Sequence, residues 1–131
     1  MLLNGKEDKE TMALITIDTN IIIQALAGNA NAVKSIAGKE CFVSFMVVIE
    51  LLSWKEINAQ STLINSFLSD CVVKDNDTSL QQAVMETRLK YGLKIPHAFI
   101  AATALNYKLP LISGDSIFKK IQELDFLFVE Y

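Results

Sequence analysis

The sequence is poor in the features that mark most specialised protein classes. It has two cysteines among 131 residues. That allows one disulfide at most, so the chain is no disulfide scaffold. Cys41 and Cys71 each open an apolar run and read as small buried hydrophobes in a reducing, cytoplasmic setting, with a single bridge as the alternative. No apolar run reaches the roughly 18 residues of a membrane span, which argues against a membrane protein. The first residues, Met1 to Thr11, are polar and charged and lack the apolar centre of a secretory signal. They read as a flexible leader, taken here as residues 1–12, with Met12 an alternative start and one domain over 13–131. Positive charge is not in excess either: 12 Lys and Arg stand against 15 Asp and Glu, for a net charge of -3. A broad nucleic-acid grip usually needs a basic face. The lysines are scattered, and only Lys90, Lys94 and Lys108 suggest a path. Repeats, linkers and low-complexity segments are absent, as are a glycine-rich phosphate loop with its lysine and an Asp-x-Asp pair after the first strand.

What the chain does contain is apolar: 51% hydrophobic and 21% charged residues specify a packed globule. Short apolar runs alternate with helical patterns. Strands are expected at Leu14–Ile17, Cys41–Ser44, Cys71–Val73, Leu109–Ser113 and Leu127–Val129. Helices are expected at Asn20–Ala27, Ala30–Ala37, Phe45 to about Ile57 with Ser44 as its cap, Gln60–Leu68 with Leu63, Ile64, Phe67 and Leu68 on one face, Asp77 or Thr78 to Tyr91, from Pro96 through the small-residue run Ala98 to Tyr107, and in a short stretch after Asp115 with Ile117, Phe118 and Ile121 inward. Glycines at 28, 38 and 92 serve as stops. Such alternation predicts an α/β domain with a mainly parallel, twisted sheet of four to five strands and helices on both faces. The helix from Phe45 is apolar nearly all round, as a helix buried on several sides or at a dimer contact must be.

Three acids stand out. Asp18 ends the first strand, and in open parallel sheets ligands bind just beyond the carboxyl ends of the strands. Asp115 repeats the pattern after Leu111-Ile112-Ser113-Gly114. Each has a plainer reading as a helix cap. Glu50 is the one charge inside Val47-Val48-Ile49-Glu50-Leu51-Leu52, so it needs a cation, a lysine such as Lys55, or an exposed strip. If the three acids converge, a hard divalent ion offsets a repulsion of about 4 kcal/mol per pair at 4 Å and an effective dielectric near 20. Mg²⁺ and Mn²⁺ prefer such oxygen donors.

Four segments carry a family resemblance. Ile17-Asp18-Thr19-Asn20, Ser44 followed by Glu50-Leu51-Leu52, Lys94-Ile95-Pro96-His97 with the helix behind it, and Leu109 to Asp115 with Phe118 together resemble the PIN-domain family. The closest likeness is to VapC-type toxins of bacterial toxin–antitoxin pairs, from about Ala13 onward. The resemblance implies a divalent-metal-dependent endoribonuclease. It matches Asp18, Glu50 and Asp115 to acidic positions that hold Mg²⁺ or Mn²⁺, and Asn20 and Ser113 to polar positions beside them that orient ligands or water. It also implies an RNA substrate, an antitoxin whose tail blocks the pocket, and a homodimer.

One departure bears on activity. His97 stands where the family normally has an acid, and Ile117 where a further acid is usual. Three readings stay open. The imidazole can complete the metal site; it can be a bland residue beside a site with one ion or none; or the change can disable catalysis, leaving a PIN module that binds antitoxin or RNA without cleavage. A different metal phosphoesterase on a related sheet is a third class of reading.

Overall fold

The computed structural model of the chain describes residues 12–54 and 57–131. The expected leader up to Thr11 and the candidate Glu50 partner Lys55 lie outside the described residues. The first strand, β1 (Leu14–Ile17), is a run of β-branched and apolar residues, which suits a strand covered on both faces. Asp18 then leaves the strand with extended backbone and caps α1 (Thr19–Leu26). After α2 (Ala30–Ile36), capped by Asn29, come β2 (Glu40–Ser44) and α3 (Phe45–Leu52), capped by Ser44. Next are α4 (Ile57–Ser69), β3 (Val72–Lys74) and α5 (Thr78–Tyr91), capped by Asp77. The chain continues through α6 (Ile95–Tyr107) and β4 (Leu111–Ser113) to a short 3₁₀ helix (Ser116–Lys120) and β5 (Phe126–Phe128).

The strands form one five-stranded sheet in the order β3-β2-β1-β4-β5, all pairs parallel. The chain thus builds outward from β1 to one side, then crosses back and builds to the other. The reversal lies between β1 and β4, where Ile17 is in register with Ile112. In a parallel sheet this is where the connections diverge and leave a crevice at the carboxyl edge. Helices cover the sheet, as its doubly apolar strands require.

The core is one cluster that includes Ile17, Ile21, Val47, Ile64, Leu80 and Ile112. On α6 the buried residues are small: Ala98, Ala101, Ala102 and Ala104 are all within 1% of full burial. Their size lets α6 lie close against α5, β1 and β2. Pro96 is the second residue of α6, where a missing N–H costs nothing. The N-terminus of α6 therefore opens at the carboxyl edge of the sheet, carrying His97.

Several boundaries differ from expectation. The helix from Phe45 ends at Leu52, well short of Ile57, and the Ser53 N–H closes its last turn on the carbonyls of Ile49 and Leu51. No glycine or proline marks that end, so periodicity alone ran past it. Only one side of α3 is buried: Val47 and Leu51 are fully covered, while Ile49 and Leu52 stay about half exposed. Leu63, placed inward by pattern with Ile64, Phe67 and Leu68, is 51% exposed, whereas Ile64 is 0%. β4 starts at Leu111 rather than Leu109; the Pro110 carbonyl just before it accepts both the backbone N–H and the hydroxyl of Thr16. The helix after Asp115 is 3₁₀, with Phe118 and Ile121 inward as expected and Ile117 only half-buried against the core. No disulfide joins Cys41 and Cys71; Cys41 is buried, and Cys71 donates its thiol hydrogen to the Phe67 carbonyl. Among the described residues, no helix is long and apolar enough to cross a membrane.

Candidate active site

Two acids meet at the β1–β4 reversal because the strand register puts them there. Ile17 pairs with Ile112, so the next residues, Asp18 and Ser113, lie side by side. The Ser113 hydroxyl donates to Asp18 Oδ2 at 2.8 Å, and it accepts the Asp115 backbone N–H at 3.0 Å. Ser113 is wholly buried and Asp18 is 6% exposed, so this is an internal polar bridge rather than a surface contact. It joins the acid after β1 to the acid after β4.

Capping and site-building are not alternatives here, since each acid has two oxygens. Asp18 Oδ1 accepts the Thr19 N–H at 2.7 Å while Oδ2 faces Ser113. Asp115 Oδ1 accepts the Ile117 N–H at 2.9 Å, and its Oδ2 lies 3.1 Å from His97 Nε2. The imidazole packs edge-on against Phe118, with ring centroids 5.5 Å apart.

Glu50 enters from α3. The Thr19 hydroxyl donates to its Oε1 at 2.9 Å, so the carboxylate points back toward the start of α1. Thr19 is the residue that sequence reasoning missed. Its hydroxyl contacts Glu50, while Asn20, the residue singled out for orienting ligands or water, lies exposed in the same turn. No short stretch of sequence signals this, because the contact depends on α3 packing beside the start of α1, 31 residues away in the chain. The result is a continuous polar chain, Glu50–Thr19–Asp18–Ser113–Asp115–His97. The carboxylates are linked through hydroxyls and backbone, not pressed together. Among the described residues, no group of three or more His, Cys, Asp or Glu side chains is spaced to hold a metal ion as it stands.

The electrostatics centre on Asp18. Burial raises its carboxyl pKa, and the negative charge of Asp115 adds to that rise. The hydrogen bonds from Ser113 and Thr19, with the nearby His97, oppose it without cancelling it. An ionised Asp18 is therefore short of positive charge. The donor set of hard oxygens fits a divalent cation of the Mg²⁺ class, which binds through one or two carboxylates and keeps several waters. Asp18 and Asp115 are the pair that would hold it, with Glu50 adjoining.

Comparison with known proteins now adds to this geometry. The family model for the PIN domain matches residues 15–124. The chain belongs to the PIN-domain family. Solved structures share the PIN fold over most of their length. A toxin–antitoxin complex from Klebsiella pneumoniae matches with a TM-score of 0.76 at 24% identity, covering 84% of this chain and 94% of that one. VapBC2 from Rickettsia felis, solved bound to a DNA fragment from its promoter, matches with a TM-score of 0.74 at 20% identity, over 89% and 99%. VapBC-5 from Mycobacterium tuberculosis, a member of the VapBC family of toxin–antitoxin systems, matches with a TM-score of 0.67 at 18% identity, over 89% and 99%. No curated protein sequence matches. At these identities the likeness to solved structures establishes the fold of this PIN domain, and its chemistry rests on the residues themselves.

Proposed function

We propose that this PIN domain is a divalent-metal-dependent endoribonuclease, the toxin partner of a toxin–antitoxin pair, acting in the cytoplasm. The observation that carries the reading is the buried Asp18, joined through Ser113 to Asp115 at the strand reversal. PIN domains are generally nucleases that use divalent metals. In this reading Asp18, Asp115 and Glu50 supply carboxylate oxygens to Mg²⁺ or Mn²⁺, while Ser113 and Asn20 orient ligands or water. His97 stands at the edge of the site, holding Asp115 in place. When bound, a divalent ion supplies Lewis-acid stabilisation for the charge that builds on a phosphodiester. A water oxygen bonds to phosphorus as one ester P–O bond breaks, and the departing oxygen takes up a proton. An antitoxin segment that reaches the crevice would block it, in keeping with the toxin–antitoxin complexes of similar fold. A homodimer through the exposed side of α3, with Ile49 and Leu52, accounts for apolar surface that the monomer leaves in water.

The test is RNA cleavage with Mn²⁺ by the natural chain and by Asp18→Asn. The natural chain should cut and the variant should lose activity by at least a hundredfold. Equal activity, or none in either, removes catalysis from the reading.

A second reading has its own observation. The His97 side chain engages the very carboxylate oxygen, Asp115 Oδ2, that a metal would need. On that ground the domain binds antitoxin or RNA without cleaving. Here His97→Asp should create cleavage where the natural chain shows none, and brisk cleavage by the natural chain disposes of it.

A further inference from the structure

The segment after β5 returns to the acidic crevice. The Val129 N–H donates to the Ser113 carbonyl at 3.0 Å, extending the β4–β5 ladder to the residue that bridges the acids. Asn31 of α2 donates its side-chain N–H to the Glu130 carbonyl at 3.0 Å and ties the segment down from the other side. These two bonds deliver Tyr131 to Gly114, between Ser113 and Asp115. The contact is intimate: a Cβ on residue 114 would lie 2.2 Å from Tyr131 Cε2 and 2.9 Å from the Val129 carbonyl oxygen. Only glycine lets the ring edge settle there. The phenol also feels the crevice directly, for its pKa is raised by burial first and then by the negative charges of Asp18 and Asp115. Even so, 45% of Tyr131 stays exposed.

A crevice lined by carboxylates repels the phosphates of a strand unless a cation lies between them. The chain's net charge of -3 leaves little long-range pull on RNA. A strand held there needs a contact that does not depend on charge, and aromatic rings provide one by stacking on bases. Of the rings beside the acids, Phe118 is fully buried and His97 is engaged by Asp115. Tyr131 is the ring that remains open. Beyond it, Glu130 lines a shallow concavity of about 410 Å³ shared with Asn31, Lys34, Lys39 and Phe128, where the phosphates of a departing strand would meet two lysines.

We propose that Tyr131, seated on Gly114 at the rim of the Asp18–Asp115 crevice, is a substrate-positioning residue that stacks on a nucleobase next to the scissile phosphate of single-stranded RNA. The proposal rests on the ribonuclease reading and adds how the strand is held. It is tested with a short RNA carrying one 2-aminopurine, placed in turn at each position around the cleaved bond. With the natural chain, one position should show quenched fluorescence on binding, and Tyr131→Phe should keep it. Tyr131→Ala should lose the quenching and raise KM about tenfold, a change of 1.4 kcal/mol, with kcat within twofold. Tyr131→Leu, which keeps bulk without a ring, should behave like the alanine variant. If the natural chain cleaves RNA while Tyr131→Ala keeps both KM and quenching, the stacking role is wrong and the nuclease reading stands. If Tyr131→Phe falls as far as Tyr131→Ala, the hydroxyl and not the ring is at work, and stacking is again refuted. If the natural chain neither binds nor cuts RNA, both proposals fall together.

Discussion

Ser113→Ala strikes the junction of the site, and its cost can be worked bond by bond. The serine hydroxyl makes two contacts in a fully buried position: it donates to the Asp18 carboxylate at 2.8 Å and accepts the Asp115 N–H at 3.0 Å. A hydrogen bond to a charged group contributes roughly 1.5–3 kcal/mol and a neutral one roughly 0.5–1.5. The substitution removes both and leaves a buried oxygen and a backbone N–H without partners. The swap of hydroxyl for hydrogen leaves a gap smaller than a methyl group, so packing adds little. The expected loss is about 2–4 kcal/mol in metal-free buffer, read by urea denaturation, or roughly 10 °C in Tm for a chain of this size. The same change withdraws a bond that lowers the Asp18 pKa, so the acid should hold its proton to higher pH and bind Mn²⁺ more weakly. A double-mutant cycle with Asp18→Asn isolates the charged bond: with the charge gone, Ser113→Ala should cost at least 1 kcal/mol less. A loss below about 0.5 kcal/mol, or no coupling in the cycle, refutes the view that this serine holds the two acids together.

Two further outcomes follow from the same structure. Asp18 has a folded-state pKa above its ordinary value, so its contribution to stability is complete below about pH 3.8 and is lost as pH rises through the raised value. At neutral pH without metal, Asp18→Asn should therefore raise Tm, and added Mn²⁺ should stabilise the natural chain while leaving the variant unmoved; a lower Tm for the variant at pH 7 would reverse the sign of the argument. Gly92 ends α5 with φ of +63°, and a Cβ there would meet nothing within 4 Å. Gly92→Ala should cost about 1 kcal/mol by urea denaturation, from backbone conformation alone.

The polar chain also gives His97 two opposing effects on the site. The imidazole at the N-terminus of α6 partners Asp115 Oδ2. A group that relieves a carboxylate in this way lowers the cost of keeping the crevice assembled, and it competes with any cation for the same oxygen. Both consequences come from one 3.1 Å contact.

Much of this was legible in the residues. The apolar strands, the caps at Asp18, Ser44 and Asp77, and the glycine stops depend on neighbours within one turn, and they emerged almost where expected. Sequence also singled out Asp18 and Asp115, because an acid after a buried strand is a local pattern. What it did not contain was strand order. Whether those acids share a crevice depends on β4 pairing with β1, a contact between residues 95 positions apart. That pairing is decided by how all the helices pack on the sheet, and no short window of sequence encodes it. The same limit hid Thr19 and Tyr131. A threonine after a cap and a tyrosine past the last strand are unremarkable by composition; they gain their roles because α3 brings Glu50 to one and the strand ladder carries the other to Gly114. The chain's order determined its elements and their caps, and only the assembled sheet decided which polar groups became neighbours.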